Sequence, residues 1–185
     1  TASLLMRTEV IEHKNIRYDL RFEAPSKKNL FFVHGASCDS RVYSNVIQIL
    51  SKDFNIMAID LNGHGDSEGD GFRSVFDHAF ICAELIDRKQ LGSWNVIGHS
   101  LGGAIGLAMA VYTSNLLESL ILVGTGSRLR VPDAFLNAVK DGGNNEHINK
   151  EFLASSIVDA SNNDTLNLLL PIINSANPNS VNFSF

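Results

Sequence analysis

Gly98-His99-Ser100-Leu101-Gly102 follows an apolar run, Trp94-Asn95-Val96-Ile97, and precedes Gly103-Ala104-Ile105-Gly106-Leu107-Ala108-Met109-Ala110. The first run, bounded by Gly92-Ser93, reads as a short strand, and the second as a helix of small residues that pack closely. Strand, sharp turn and helix around Gly-x-Ser-x-Gly is the setting in which a serine is presented as a nucleophile. Gly98 and Gly102 have a mechanical reason to stand two residues either side of Ser100: side chains there would collide with the adjoining strand and helix. The same turn aims the first N–H groups of the new helix at the reaction centre, where they favour developing negative charge, and Leu101 N–H is the first such donor. On the pentapeptide alone a second reading stays open, in which Ser100 caps a helix whose Gly102 and Gly103 permit close packing.

Two upstream segments bear on the choice. Leu30-Phe31-Phe32-Val33 is an apolar strand that runs into His34-Gly35-Ala36-Ser37. Ala36 N–H is placed to be a second oxyanion donor, since the nucleophile-turn design takes one N–H from the loop after an earlier strand. The alternative is a strand-ending glycine with His34 hydrogen-bonded structurally. Asn55-Ile56-Met57-Ala58-Ile59 is another buried-type strand, and it ends in Asp60-Leu61-Asn62-Gly63-His64-Gly65-Asp66-Ser67. This segment reads as scaffold: Asp60 and Asp66 satisfy local backbone N–H groups and His64 braces the loop.

In this order and spacing, His34-Gly35, Asp60 to Ser67 and Gly98 to Gly103 resemble the α/β-hydrolase superfamily over residues 3–131. The resemblance implies an α/β fold, a mostly parallel sheet flanked by helices, with Ser100 as nucleophile. Gly124-Thr125-Gly126-Ser127-Arg128-Leu129-Arg130-Val131 resembles the exit toward a cap in esterase- and lipase-like members. The expected organisation is the N-terminal part of a hydrolase core over 1–131 and a partial, incomplete helical cap over 132–185.

The rest of the chain agrees with crossover units. Leu4 to Val10 and Ile16 to Phe22 alternate apolar and polar residues across an expected turn near Lys14-Asn15. Arg41 to Leu50 and Val75 to Leu91 have helical spacing, and Leu120-Ile121-Leu122-Val123 reads as a strand buried on both faces. Beyond Pro132, helical patterns cover 134–140, 148–158 and 165–173, and the polar stretch 174–182 is a loop or a fraying end. Phe135, Leu136, Phe152, Leu153 and Leu168 to Leu170 are either the lining of an acyl pocket or helix-packing core.

With 185 residues, 44% of them hydrophobic, the chain supports one sizeable core and a small cap. A net charge of -5 disfavours nucleic acid and anionic membrane as partners, and no apolar run approaches a membrane span. Thr1-Ala2-Ser3 is not a secretory signal, and Cys38 and Cys82 are too few for a disulfide framework, so a reducing, cytoplasmic setting is expected. Neither cysteine sits on a recognisable nucleophile turn. The six histidines are scattered without ligand spacing, so neither a metal nor another cofactor is expected.

A serine nucleophile needs a base and an acid, and in the resembled superfamily these follow the serine in the order acid, then histidine. The only histidine after Ser100 is His147, in what reads as the solvated start of a cap helix, and Asp133 begins another helix. By the resemblance, the last two strands and the loops carrying acid and histidine are lacking, so a truncated or partial chain is expected, nearly inactive by itself. Leu120 to Val123 would then be a sheet edge with unpaired N–H and C=O groups. Such an edge self-associates, is covered by the helices beyond Pro132, or needs a complementary C-terminal segment. The expected function is hydrolysis of a small apolar carboxylic ester through an acyl-enzyme at Ser100. Aspartate-nucleophile chemistry, as in epoxide hydrolases and dehalogenases, is disfavoured by that serine. The alternative is a non-catalytic hydrolase-like module that binds a small apolar ligand or a partner chain.

Overall fold

A computed structural model describes residues 5–126 and 163–177, together with positions 137, 149–151, 153 and 154. The expected helix over 134–140 and most of that over 148–158 lie outside the described residues, as do Asp133, Phe135, Leu136, His147 and the side chain of Phe152.

Period-two alternation assigns each strand residue to a face of the sheet. In β3 (Asn29–Val33), Phe31 and Val33 enter one core while Leu30 and Phe32 enter another. In β4 (Asn55–Ile59), Met57 and Ile59 join the first, and Ile56 and Ala58 the second. Both strands are buried throughout, as central parallel strands covered on two sides must be. The first face is closed by α2 (Val75–Asp87) and α3 (Leu101–Tyr112), whose Ile81, Leu85, Ile105 and Met109 pack on Phe31, Met57 and Val96. The edge of the Trp94 ring meets Phe31, with centroids 6.2 Å apart. The second face is covered by α1 (Ser44–Leu50), through Ile47 and Leu50.

The strand order is β1-β2-β4-β3-β5-β6, where β1 is Leu5–Ile11, β2 Lys14–Arg21, β5 Trp94–His99 and β6 Leu117–Val123. β1 and β2 form an antiparallel hairpin joined antiparallel to β4, and β4, β3, β5 and β6 are mutually parallel. From β3 the chain crosses to β4 on one side and then to β5 on the other. The order therefore reverses beside β3, and the carboxyl ends of β3 and β5 open a crevice of the kind in which parallel α/β sheets bind ligands.

Two expectations are corrected. The hairpin turn is Glu12-His13, not Lys14-Asn15: both turn residues have positive φ (49° and 62°), as a two-residue loop matching the strand twist requires. Asn15 instead lies in the ladder opposite Val10, and its backbone and side-chain N–H groups donate to the Glu68 carboxylate at 2.9 and 2.8 Å. β6 is longer than read and is not buried on both faces. It is the edge of the described sheet, with Ile121, Leu122 and Val123 exposed by 48, 41 and 46%. The apolar sequence was a sound sign of a parallel strand, but burial depends on a neighbour the strand pattern does not specify. The helix expected over 165–173 is present as α4 (Asn163–Asn174). It is tied to the core where Arg41 Nη2 donates to Ser175 Oγ at 3.0 Å, and Asn174 accepts from Asn149 Nδ2 at 2.9 Å.

A buried cation escaped the sequence reading. Arg17, on β2, is only 7% exposed and pairs with Asp19 at 2.9 Å and Asp60 at 3.2 Å, while also donating to the Ser40 hydroxyl. Asp60 in turn accepts from the backbone of Ser40 (2.8 Å) and Asp66 (3.0 Å), so one cation and two carboxylates stitch β2, the loop after β3 and the loop after β4 together. Burial raises the Asp19 carboxyl above its usual range, and the Arg17 charge pulls it partly back. Removing one partner of such a group leaves buried charge uncompensated. Arg17→Ala is expected to lower the urea-unfolding free energy by about 3–5 kcal/mol; a loss of about 1 kcal/mol or less, as for an exposed ion pair, would contradict the assignment.

Candidate active site

β5 leaves the sheet at His99 and α3 begins at Leu101, so one residue, Ser100, makes the whole reversal. Its backbone sits at φ 52°, ψ -116°, a conformation that favours glycine and is strained for a serine. Ser100 N–H donates to Val123 O of β6 at 3.0 Å, and Ser100 O accepts from Gly103 N–H at 2.9 Å, so the strained unit is clamped from both sides. Ser100 stands at the N-cap position of α3, but its side chain makes no cap hydrogen bond to the helix. Its hydroxyl is half-buried and unbonded among the described residues.

The two elbow glycines behave as collision logic requires. A Cβ on Gly98 would overlap the Gly102 carbonyl, and one on Gly102 would overlap the Val33 carbonyl at the end of β3. The first turn of α3 thus rests directly on the backbone of β3. Leu101, at the first helical position, has an N–H without an intrahelical acceptor.

Gly35 comes up against the serine from β3: a Cβ there would stand 3.2 Å from Ser100 Cβ and 3.2 Å from His99 Nδ1. After Gly35 the chain turns tightly, with Cys38 N–H on Gly35 O at 3.3 Å and Ser37 at φ 57°. Ala36, half-buried inside this turn, has an N–H with no acceptor among the described residues. The fold therefore gathers Gly98, Ser100, Leu101, Gly102 and the Gly35-Ala36 peptide in one place, although the sequence separates them by more than sixty positions.

Behind this crevice lie three buried histidines. His34 Nε2 accepts from Leu61 N–H at 3.0 Å, and its Nδ1 meets Gly35 O at 2.7 Å. His64 Nδ1 meets Asn62 O at 3.1 Å, and His78 Nε2 accepts from Phe72 N–H at 3.3 Å. The rings form a file, with centroids 5.1 Å apart for His34 and His64 and 6.4 Å for His64 and His78. Burial lowers all three from the usual imidazole value, His34 to about 4 and His64 and His78 to about 3. His64 braces its loop, as read, and His34 makes the structural hydrogen bonds given above as the alternative. Asp60 accepts from the backbone of Ser40 and Asp66, as read, whereas Asp66 is exposed and joins the loop through its own N–H rather than as an acceptor. His78 went unread because α2 gives no local sign of which side chains meet the loop after β4.

Asp39 sits beside this layer. Burial pushes its carboxyl up, but bonds from Arg41 outweigh that and hold it below the usual range. Burial raises the Cys38 thiol to about 12 and that of Cys82 higher still, so neither cysteine is a ready thiolate. No imidazole among the described residues bonds the Ser100 hydroxyl; His99 is adjacent in sequence, yet it packs toward Gly35 and Gly124. Among the described residues no group of three His, Cys, Asp or Glu side chains is arranged to hold a metal ion, and no helix is long and apolar enough to cross a membrane.

The profile of the α/β hydrolase fold matches residues 28–159. A probable lysophospholipase, BODYGUARD 4 of Arabidopsis thaliana, is 35% identical over 106 residues, covering 55% of this chain and 25% of that protein. The pimeloyl-[acyl-carrier protein] methyl ester esterase of Nitrosomonas europaea is 30% identical over 97 residues, 52% of this chain and 37% of its own. The match thus spans well under half the length of either relative. Among solved structures, a hydrolase from Pseudomonas aeruginosa PA01 superposes with a TM-score of 0.82 at 16% identity, over 96% of this chain and 69% of its own. The enol-lactonase of Burkholderia xenovorans LB400 gives 0.81 at 17% identity, over 95% and 70%.

Ser100→Gly removes strain of about 1–3 kcal/mol against a glycine entropy cost of about 0.5–1 kcal/mol, so denaturant unfolding is expected to show a gain of about 1 kcal/mol; destabilisation would mean that the turn is relaxed. Unfolded imidazoles take up protons below about pH 6.5, whereas the three buried ones do so only near 4, 3 and 3. The unfolded chain then binds more protons, so the stabilisation is complete above about pH 6.5 and is lost as pH falls toward the folded values. Unfolding free energy is expected to fall from about pH 6.5 to 5, and His78→Gln to flatten that slope by one proton. A level profile in wild type would refute it.

Proposed function

The chain belongs to the α/β-hydrolase fold family, and from that premise we propose that the whole protein is a serine hydrolase of small apolar carboxylic esters. Ser100 Oγ attacks the ester carbonyl carbon and gives up its proton to a base. The carbonyl oxygen becomes an oxyanion that accepts from Ala36 N–H and Leu101 N–H. The alcohol leaves with the proton, and water then attacks the acyl group on Ser100 and releases the acid. The observation that carries this reading is a strained serine whose hydroxyl, like the Ala36 and Leu101 N–H groups beside it, has no partner among the described residues. Base and acid come from outside the described residues, and residues 132–185 act as cap. A cytoplasmic setting is part of the same proposal and rests on two unpaired thiols, Cys38 and Cys82.

The open side of β6 belongs to this proposal too. Its apolar residues Ile121, Leu122 and Val123 stand on the sheet edge, and unpaired edge strands recruit a further strand. The occupant is a complementary C-terminal segment or a second copy of the chain.

A fluorophosphonate probe tests the chemistry: mass spectrometry is expected to find one adduct per chain, on Ser100, and none in Ser100→Ala. Binding of an apolar ligand without any labelling would favour a non-catalytic hydrolase-like module. Light scattering tests the edge. Self-association is expected for the chain alone, with Leu122→Lys shifting it to monomer; a monomeric wild-type chain, unaffected by the change, would remove the edge proposal.

A further inference from the structure

His34 is fully buried, fixed at both ring nitrogens, and not within hydrogen-bonding reach of the Ser100 hydroxyl. Its bonding pattern admits one tautomer. Leu61 N–H can only donate, so Nε2 must present a lone pair, and the proton must then be on Nδ1, where it donates to Gly35 O at 2.7 Å. Burial keeps the ring neutral down to about pH 4, which preserves this pattern.

The carbonyl that His34 grips belongs to the peptide unit that carries Ala36 N–H. In a trans peptide the C=O and N–H bonds point in opposite directions from one rigid plane, and no peptide bond among the described residues is cis. Turning the Gly35 carbonyl back toward the His34 ring therefore turns the Ala36 N–H away from it. Gly35 itself lies against Ser100, so this peptide flanks the serine. The tight turn alone does not lock it: its closing bond, Cys38 N–H to Gly35 O, is long at 3.3 Å. The other end of the imidazole is held by the backbone of Leu61, next to Asp60 and its clamp on Ser40 and Arg17.

We propose that His34 is a positioning residue for ester hydrolysis: its Nδ1–H holds the Gly35 carbonyl so that Ala36 N–H is aimed at the oxyanion. This rests on Ala36 as an oxyanion donor in the reading above. It also gives Leu61 a part, because an imidazole unanchored at Nε2 is free to adopt the other tautomer, in which Nδ1 carries no proton and repels the carbonyl. The reactive serine and the loop after β4 are thus coupled through one ring.

Two substitutions separate the two ends of that ring. Asn at this position places an N–H donor close to where Nδ1 stands and cannot reach Leu61; Gln reaches toward Leu61 with its carbonyl and has no donor at the Nδ1 position. His34→Asn is therefore expected to label with fluorophosphonate at Ser100 at close to the wild-type rate. His34→Gln is expected to label at least about tenfold more slowly, a part of the hundred- to thousandfold that loss of an entire oxyanion donor costs. The amide resonance of Ala36 is expected to move in His34→Gln and hold in His34→Asn, and nitrogen NMR to find the Nδ1–H tautomer in wild type. Equal labelling by wild type and folded His34→Gln, equal slowing in both variants, or an Nε2–H tautomer would each overturn the proposal. Absence of Ser100 labelling in wild type strikes instead at the hydrolase reading, and the tautomer and the Ala36 resonance still decide whether His34 holds the peptide.

Discussion

The contact on which the rest depends is the backbone-to-backbone approach of the first turn of α3 and the end of β3. Gly102 lies where any Cβ would enter the Val33 carbonyl, and Gly98 where one would enter Gly102. A helix that starts so close to a strand cannot be reached by a relaxed turn, so Ser100 takes φ 52° and is held there by bonds to Val123 and from Gly103. Strain of this kind persists only where the surroundings over-determine it. Those surroundings are the parallel strands β3, β5 and β6, paired in register on either side of the turn.

A polar layer sits where the strands end, and it does for the loops what the apolar cores do for the sheet. Arg17, Asp19, Asp60 and Ser40 form a charged knot on one side, and the file of His34, His64 and His78 stands on the other. Loops cannot fix a peptide plane to a fraction of an ångström by burial alone, because the hydrophobic effect is not directional. Hydrogen bonds can: the three imidazoles and the Asp60 carboxylate bond backbone groups of the loops after β3 and β4, while Arg17 ties Asp19, Asp60 and Ser40 together through their side chains. The cost is acid sensitivity, since the imidazoles must stay neutral for the layer to survive.

The two faces of the sheet are unequally clothed. Among the described residues, one carries a core of twenty buried side chains under α2 and α3, and the other has five, under α1. Beside that smaller core an apolar hollow of about 410 Å³ runs from Leu30 and Phe32 to Ile121 on β6. The exposed edge and the thin face are adjoining parts of one surface, which is why the burial of β6 departs from its sequence pattern.

The sequence by itself determined the local events: which runs are strands, where Gly-x-Ser-x-Gly forces a reversal, and that Asp60 and His64 serve a loop. Each of these follows from spacing of two, three or four residues, which is the range over which a chain's own sterics and side-chain bonds act. The order β1-β2-β4-β3-β5-β6, the exposure of β6, the Glu12-His13 turn and the burial of Arg17 were decided only by tertiary structure. Arg17 on an alternating strand looks like a solvated residue until Asp60, forty-three positions away, is brought beside it. His34 shows the same division: its place at a strand end is legible in sequence, while its proton is assigned by Leu61, a partner that the folding of β4 against β3 alone supplies.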